Sequence, residues 1–163
     1  MRTRLFAAVI ITALCFCSCS GRESAKPCDI DEKFEGTVKI TQGSSEYSCE
    51  LKRADADVWE MQYTSPKTIE GLKLTFTGSV CTLDLQGLKY ELEREDVPAA
   101  SPAAVCCDAL EDLIAKKDLT CTKDGDTVTE KGSHNGSEMT AVFEKGIIKE
   151  LTVSDQLRFE FSF

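Results

Sequence analysis

The sequence predicts a mainly β protein of the α+β class, in which one curved antiparallel sheet of about eleven strands wraps over one central helix. Three observations predict this fold. Apolar and polar residues alternate from Phe34 to Arg94, short turns interrupt the alternation, and one stretch changes to helical spacing. With 163 residues, the chain is long enough for one domain with a single core and too short for two ordinary ones.

Six strands are predicted in the first half. Turn residues such as Gly43-Ser44, Ser65-Pro66 and Gly78-Ser79 separate them. Because short loops make successive strands antiparallel neighbours, this half is predicted to be a meander. The alternating apolar positions of the six strands centre on Val38, Cys49, Met61, Leu74, Leu83 and Tyr90. The second face is charged and includes Lys39, Glu50, Lys52, Glu60, Lys73, Asp84, Glu91 and Glu93.

A helix is predicted over residues 101–117. Ser101 is a residue type that caps helices, and Pro102 suits the first helical position. Apolar residues then recur at intervals of three and four, which is typical of a helix with one buried side. This stripe comprises Ala103, Cys106, Cys107, Leu110, Leu113 and Ile114. The opposite face carries Asp108, Glu111, Asp112 and Lys116.

Five more strands are predicted after the helix. They centre on Cys121, Val128, Ala141, Leu151 and Phe159. The last one places three phenylalanines on one face, so we expect the C-terminus to be an integral strand. A sheet of this length curls under its own twist, and we expect the helix to fill the concave side.

The N-terminal residues have the pattern of an export signal. Arg2 and Arg4 precede a mainly apolar run over residues 5–16, which is shorter than the ~20 residues that a membrane-spanning helix needs. The next residues, Phe16-Cys17-Ser18-Cys19, resemble the lipobox of bacterial lipoproteins, with a small residue before the cysteine that is lipidated. A secretory signal cleaved near Ser18 or Ser20, with a soluble product, is the alternative.

The lipobox resemblance implies a division of the chain into three parts. These are a signal peptide over 1–18, a flexible tether over 19–33 and a β domain over 34–163. The resemblance further implies acyl chains on Cys19 that hold the domain at the extracytoplasmic face of the cell membrane. Charge alone would not hold it there, because a net charge of −9 is repelled by anionic lipid. The same charge argues against nucleic acid as a partner.

Six cysteines remain in the predicted domain and tether: Cys28, Cys49, Cys81, Cys106, Cys107 and Cys121. Their even number and an exported location permit disulfides. Most of them stand at core positions, however, which favours reduced thiols that pack as small apolar side chains. The pairing state stays open at this point, and one bridge between facing strands is compatible with the pattern.

No residue pattern predicts catalysis, a metal site or a cofactor. His134 is the sole histidine, and its Ser-His-Asn-Gly context predicts a solvated hairpin tip. The carboxylate pairs Asp55/Asp57 and Asp124/Asp126 fall in short turns, which explains them without an ion. The chain is therefore predicted not to be an enzyme.

The order of six strands, one helix and five strands resembles the LolA/LolB-like fold, an unclosed half-barrel over helices. The passages Tyr63-Thr64-Ser65-Pro66 and Gly71-Leu72 contribute to this resemblance. It implies two functions. A module of this fold, as in clostridial germination lipoproteins, would dock a protein partner at the cell surface. Alternatively, the concave face would carry a lipid or other apolar ligand, lined by Trp59, Met61, Tyr63, Leu74, Phe76 and Phe143, residues that equally suit a core packed against the helix.

Overall fold

The computed structural model describes residues 23–31 and 33–163, which form twelve β-strands and one α-helix. The first strands are β1 (Glu23–Ser24), β2 (Glu35–Gln42), β3 (Ser45–Asp55), β4 (Val58–Ser65), β5 (Lys73–Thr77), β6 (Val80–Leu85) and β7 (Leu88–Glu93). A short 3-10 helix, Arg94–Asp96, and the helix α1 (Pro102–Ile114) come next. The remaining strands are β8 (Thr120–Asp124), β9 (Thr127–His134), β10 (Ser137–Glu144), β11 (Ile147–Val153) and β12 (Leu157–Ser162).

All twelve strands belong to one antiparallel sheet, in the order β1-β8-β9-β10-β11-β12-β2-β3-β4-β5-β6-β7. The sheet consists of two meanders, β2 to β7 and β8 to β12, and the C-terminal strand joins them. In that junction Phe159 lies opposite Ile40 and Phe161 lies opposite Val38. The predicted fold class and the C-terminal strand are confirmed, and the last strand is central in the sheet.

The eleven predicted strands correspond to β2 through β12, and β1 is additional. Glu23–Ser24 pairs with β8, and the Ala25 N–H donates to the Cys121 carbonyl at 3.0 Å. Cys28 and Ile30 then pack against the core. The described part of the predicted tether over 19–33 therefore lies along the sheet instead of extending away from it. The predicted signal peptide over 1–18 and the lipidation site Cys19 lie outside the described residues.

Helix α1 fills the concave side of the sheet. Its apolar stripe is buried in the same core as the inward side chains of both meanders. Each large apolar side chain buried in this way stabilises the fold by roughly 1.5–3 kcal/mol. The helix ends at Ile114, three residues earlier than predicted, because Lys116 adopts a left-handed φ of 51° and its N–H donates to the Leu113 carbonyl. Ser101 holds the N-cap position without a side-chain hydrogen bond.

Two-residue turns connect several strands. Gln86 and Gly87 join β6 to β7, and Asn135 and Gly136 join β9 to β10, all four with positive φ. Such turns have the twist that antiparallel hairpins require, and Asn and Gly adopt positive φ at low cost. Within residues 23–31 and 33–163, no helix combines the length and the apolar character needed to cross a membrane.

Candidate functional site

The six side chains predicted to line a ligand cavity lie in the core. Trp59 pairs with Phe76 and Met61 pairs with Leu74 across β4 and β5, while Tyr63 lies opposite Cys49. Phe143 is on β10, in the other meander. All six are between 0 and 7 % exposed and share one apolar cluster with α1. The helix thus occupies the place that the predicted ligand would take.

A partly buried ion pair links the helix to β3. Arg53 donates to Glu111 through Nε at 3.0 Å and through Nη2 at 3.2 Å, and the Trp59 indole donates to the same carboxylate at 2.7 Å. The guanidinium also lies 5.8 Å from the centre of the Trp59 ring. Two parallel bonds between a guanidinium and a carboxylate fix both distance and orientation. This group therefore sets the rotation of α1 against the sheet.

A second ion pair joins the helix to the end of the first meander. Arg94 of the 3-10 helix donates to Asp108 of α1. The same guanidinium lies 4.7 Å from the centre of the Phe76 ring, where a cation is attracted to the aromatic face. Asp108 and Glu111 are one helical turn apart, so these two ion pairs fix one side of α1 at two positions along its axis.

His134 forms the third link, and its predicted position at a solvated hairpin tip is wrong. It is the last residue of β9 and only 5 % exposed, with Nδ1 lying 2.7 Å from Asp112 Oδ2. The Asn135 amide nitrogen lies 3.0 Å from Nε2. With its proton on Nδ1, the imidazole donates to Asp112 and accepts from Asn135. Nε2 is thus engaged by an amide, whereas nucleophilic catalysis would require a hydroxyl or thiol there.

The alternation of side chains along the strands indicates which polar residues take part in these links. Arg53 follows Cys49 and Leu51 at two-residue intervals, which places it on the inward face of β3. On β9, Glu130 and His134 follow Val128 by two and six residues and so lie on the same inward face. A charged or ring-nitrogen side chain at an inward position needs a polar partner. The carboxylates on the helix face opposite the apolar stripe supply that partner for Arg53 and His134.

Glu130 is the most deeply buried charged side chain among the described residues, at 1 % exposure. Its Oε1 accepts a 2.5 Å hydrogen bond from the Cys28 backbone N–H, and Oε2 has no partner among the described residues. Burial raises the pKa of this carboxyl above its ordinary value. Glu130 therefore fastens the N-terminal segment to β9 at an electrostatic cost to the ionised form.

The six described cysteines are free thiols. Burial raises the pKa of the Cys49 thiol to about 12 and that of Cys28 to about 11, with the Glu130 carboxylate adding to the effect at Cys28. The pKa values of the adjacent Cys106 and Cys107 lie well above the ordinary value, again because of burial. Since the thiolate is the reactive form, these cysteines act as packing residues at neutral pH.

The outer face of the sheet pairs its basic side chains with carboxylates. Lys39 contacts Glu46 at 2.9 Å, and Lys73 contacts Glu60 at 3.0 Å. Arg158 contacts both Glu150 and Glu160. Exposed pairs of this kind contribute only ~0–1 kcal/mol each. The chain has 28 acidic and 19 basic residues. When the basic side chains are paired, unpaired carboxylates therefore remain in excess.

A groove of about 390 Å³ crosses this outer face between β2 and β5. Its lining includes Thr37, Glu50, Gln62 and the aromatic ring of Phe163. Glu50 forms no ion pair with any described residue, whereas Lys52 and Lys73 in the same groove are each paired with a glutamate. The groove thus offers hydrogen-bonding groups, an unbalanced carboxylate and one aromatic contact.

A smaller pocket of about 290 Å³ lies at one end of the sheet. Apolar side chains form most of its wall: Ile30, Phe34, Phe143, Ile147, Ile148 and Phe163. Asp29 and Asp31 also line it. Of the six predicted ligand-lining residues, Phe143 lies in this wall. The pocket is below the ~300–1,000 Å³ typical of sites for drug-sized ligands.

Each carboxylate pair of the sequence stands at the end of a strand and in the turn that follows: Asp55 ends β3 and Asp57 is in the β3–β4 turn, while Asp124 ends β8 and Asp126 is in the β8–β9 turn. Asp55 accepts from the Ala56 N–H at 2.8 Å, and Asp57 has a positive φ in the β3–β4 turn. Within the part of the chain that the structure describes, no three His, Cys, Asp or Glu side chains are grouped to hold a metal ion. Comparison with known proteins found no family model and no curated protein that matches this chain.

Proposed function

We propose that this protein is a lipid-anchored, LolA/LolB-like surface module that docks a protein partner and carries out no chemistry of its own. The observation that carries this proposal is the filled concave face. Trp59, Met61, Tyr63, Leu74 and Phe76 form core against α1, and three polar links hold the helix in place. Function then resides on the outer surfaces of the molecule.

The outer-face groove is the docking surface that the side chains favour. Its polar lining and the unbalanced Glu50 suit a partner segment with Lys or Arg and hydrogen-bonding groups. Phe163 adds a ring of the kind that anchors protein interfaces. Electrostatic steering of this kind weakens as ionic strength rises.

Capture from cell-surface extracts at low and high salt tests the proposal. The full-length chain should enrich a protein at low salt and lose it at high salt. Glu50→Lys should abolish the capture, while Glu144→Lys, an equal charge change at the exposed last residue of β10, should retain it. Equal capture by both variants, or none that responds to salt, would reject the groove as the docking surface.

Carriage of a small apolar ligand is a second candidate, supported by the pocket around Ile30, Phe143 and Ile147. Its volume suits a short acyl group better than a whole lipid. Organic extraction of the purified protein followed by mass spectrometry tests it. A stoichiometric apolar compound that is lost in Phe143→Ala would support carriage. Recovery of no compound above the buffer background would reject it.

A further inference from the structure

The two edges of the sheet differ in how they are covered. At one edge, Glu23–Ser24 pairs with β8 and Ala25 continues the hydrogen bonding. At the other edge, β7 pairs with β6, and none of the described residues forms a strand pair on its outer side. Leu88 and Tyr90 of β7 are 79 % and 68 % exposed. An open strand with exposed apolar side chains is a site at which another strand can add.

The register of the β6–β7 hairpin determines which backbone groups face outward. Leu85 lies opposite Leu88 across the two-residue turn, and Leu83 lies opposite Tyr90. Residues flanking such a turn exchange hydrogen bonds with each other, and the pattern alternates along the strand. The backbone groups of Leu88 and Tyr90 therefore point to β6. Those of Lys89 and Glu91 point away from the sheet.

The sequence of β7 is self-complementary about Tyr90. Residues 88–92 read Leu-Lys-Tyr-Glu-Leu. When this strand is laid antiparallel on its own copy with Tyr90 opposite Tyr90, each Lys89 lies opposite a Glu91 and each Leu88 lies opposite a Leu92. The outward backbone groups of Lys89 and Glu91 then meet as hydrogen-bonded pairs, and the tyrosines form the non-hydrogen-bonded pair between them.

We infer that a second copy of this chain docks on β7, so that two sheets join through an antiparallel β7–β7 contact centred on Tyr90. Two opposite-charge pairs lie on the outer face of this contact, and Leu88, Tyr90 and Leu92 meet their counterparts on the inner face. Because the contact is isologous, it uses both open edges and closes as a dimer. The strand at the other edge, β1, has only two residues, so the described part of the chain offers no equivalent edge for further growth.

This inference is independent of the proposed function, because the groove between β2 and β5 does not include β7. The charge pattern also distinguishes a second copy from an unrelated partner strand. Lys89, which lies 3.9 Å from Asp84 of β6 and is largely exposed, would attract a further carboxylate, and Glu91 would attract an amine. β7 itself presents both groups at the matching positions.

Symmetry-specific cross-linking of the full-length chain in detergent tests the register. In Tyr90→Cys the two new thiols would face each other with Cα atoms about 4.5 Å apart, which is within disulfide range. In Leu88→Cys the two new thiols would be about 13 Å apart, since each lies opposite Leu92. Treatment with diamide, which takes up the two hydrogens as the disulfide forms, should give a dimer band for Tyr90→Cys.

Leu88→Cys is a matched control, because it is on the same strand and face and is more exposed than Tyr90. Random collisions would cross-link it at least as well. The unmodified chain measures the contribution of the native cysteines. A dimer band confined to Tyr90→Cys supports the inference, and equal bands or no band overturn it.

A charge exchange tests the same contact by sedimentation velocity. Lys89→Glu would set glutamates opposite each other on both sides of the symmetry axis, and we expect dimer affinity to fall about tenfold or more. The double variant Lys89→Glu/Glu91→Lys restores both opposite-charge pairs and should recover the original affinity. A folding defect would not be repaired by this exchange. A wild-type chain that stays monomeric, or a double variant that is no better than the single one, would reject the inferred dimer.

Discussion

Arg53 on β3 and Glu111 on α1 form a two-bond ion pair, at 3.0 and 3.2 Å, at the margin of the apolar contact between the helix and the sheet. An apolar stripe alone permits a helix to rotate or slide on a sheet, because hydrophobic burial has little directionality. The ion pair, together with the Trp59 hydrogen bond, removes that freedom. Asp108 and Asp112, on the same side of the helix as Glu111, add links to Arg94 and His134.

Glu111→Ala should destabilise the protein by about 2–4 kcal/mol, because it leaves the buried Arg53 and the Trp59 N–H without their acceptor. Urea unfolding, followed by tryptophan fluorescence, measures the change. In Arg53→Met/Glu111→Ala the unpaired cation is gone, so part of the loss should be recovered. A single-variant loss below ~0.5 kcal/mol would show that the pair is not a stabilising contact.

Glu130 should make stability depend on pH. Its pKa is raised in the folded state from an ordinary value of 4.5, so the folded protein holds this proton more tightly than the unfolded chain. Its contribution to stability is complete below pH 4.5 and is lost as pH rises through the folded-state pKa. Glu130→Gln keeps an acceptor for Cys28 and removes the charge. The stability of the variant relative to wild type should therefore be higher at neutral pH than at about pH 4.

Denaturant unfolding of both proteins from about pH 4 to about pH 8 tests this prediction, with the difference between them as the quantity of interest. The difference should be small at the acid end and grow toward neutral pH. Asp29→Asn serves as a control, because Lys116 lowers the pKa of the exposed Asp29 carboxyl and so gives a pH dependence of opposite sign. A constant difference between wild type and Glu130→Gln would contradict the prediction.

The buried thiols should resist alkylation in the folded protein. Burial raises the pKa of Cys49 to about 12, and the pKa values of Cys106 and Cys107 are higher than the ordinary value for the same reason. Iodoacetamide followed by mass spectrometry should modify these three residues only after unfolding. Cys28, whose side chain is partly exposed, should react first among the six. Rapid modification of Cys106 or Cys107 under native conditions would indicate that α1 opens readily.

The proposed anchor depends on one thiol. Cys19→Ala should abolish incorporation of a palmitate analogue and release the protein from the membrane fraction, because no acyl chain could be attached. Ser20→Ala is the matched control and should stay in the membrane. Membrane retention and acylation of Cys19→Ala would exclude this residue as the lipidation site.

The alternation of side chains was sufficient to predict the strands and the inward direction of residues such as Trp59 and Phe159. Burial of apolar side chains follows the two-residue period directly, which is why this level of the fold is readable. The pairing of β1 was not readable, since Glu23–Ser24 binds β8 through its backbone and carries no apolar pattern.

The polar links show a second limit of prediction from the sequence. The sequence correctly predicts the Asn135-Gly136 turn but wrongly predicts that the preceding His134 is solvated. A turn pattern does not indicate which side chains pack against the residue before the turn. The partner, Asp112, is on a different element and is brought there by the fold. The inward positions of Arg53 and Glu130 nevertheless predict that each needs a partner, even though the alternation does not say which one.

The position of β12 between β11 and β2 has a consequence for the integrity of the sheet. Among the described residues, Leu157–Ser162 is the one strand that connects the two meanders. Without it, Ile40 and Val38 would lose their β12 partners Phe159 and Phe161 and keep only those on β3. Loss of β12 pairing would therefore divide the sheet into two parts, each with an additional unpaired edge.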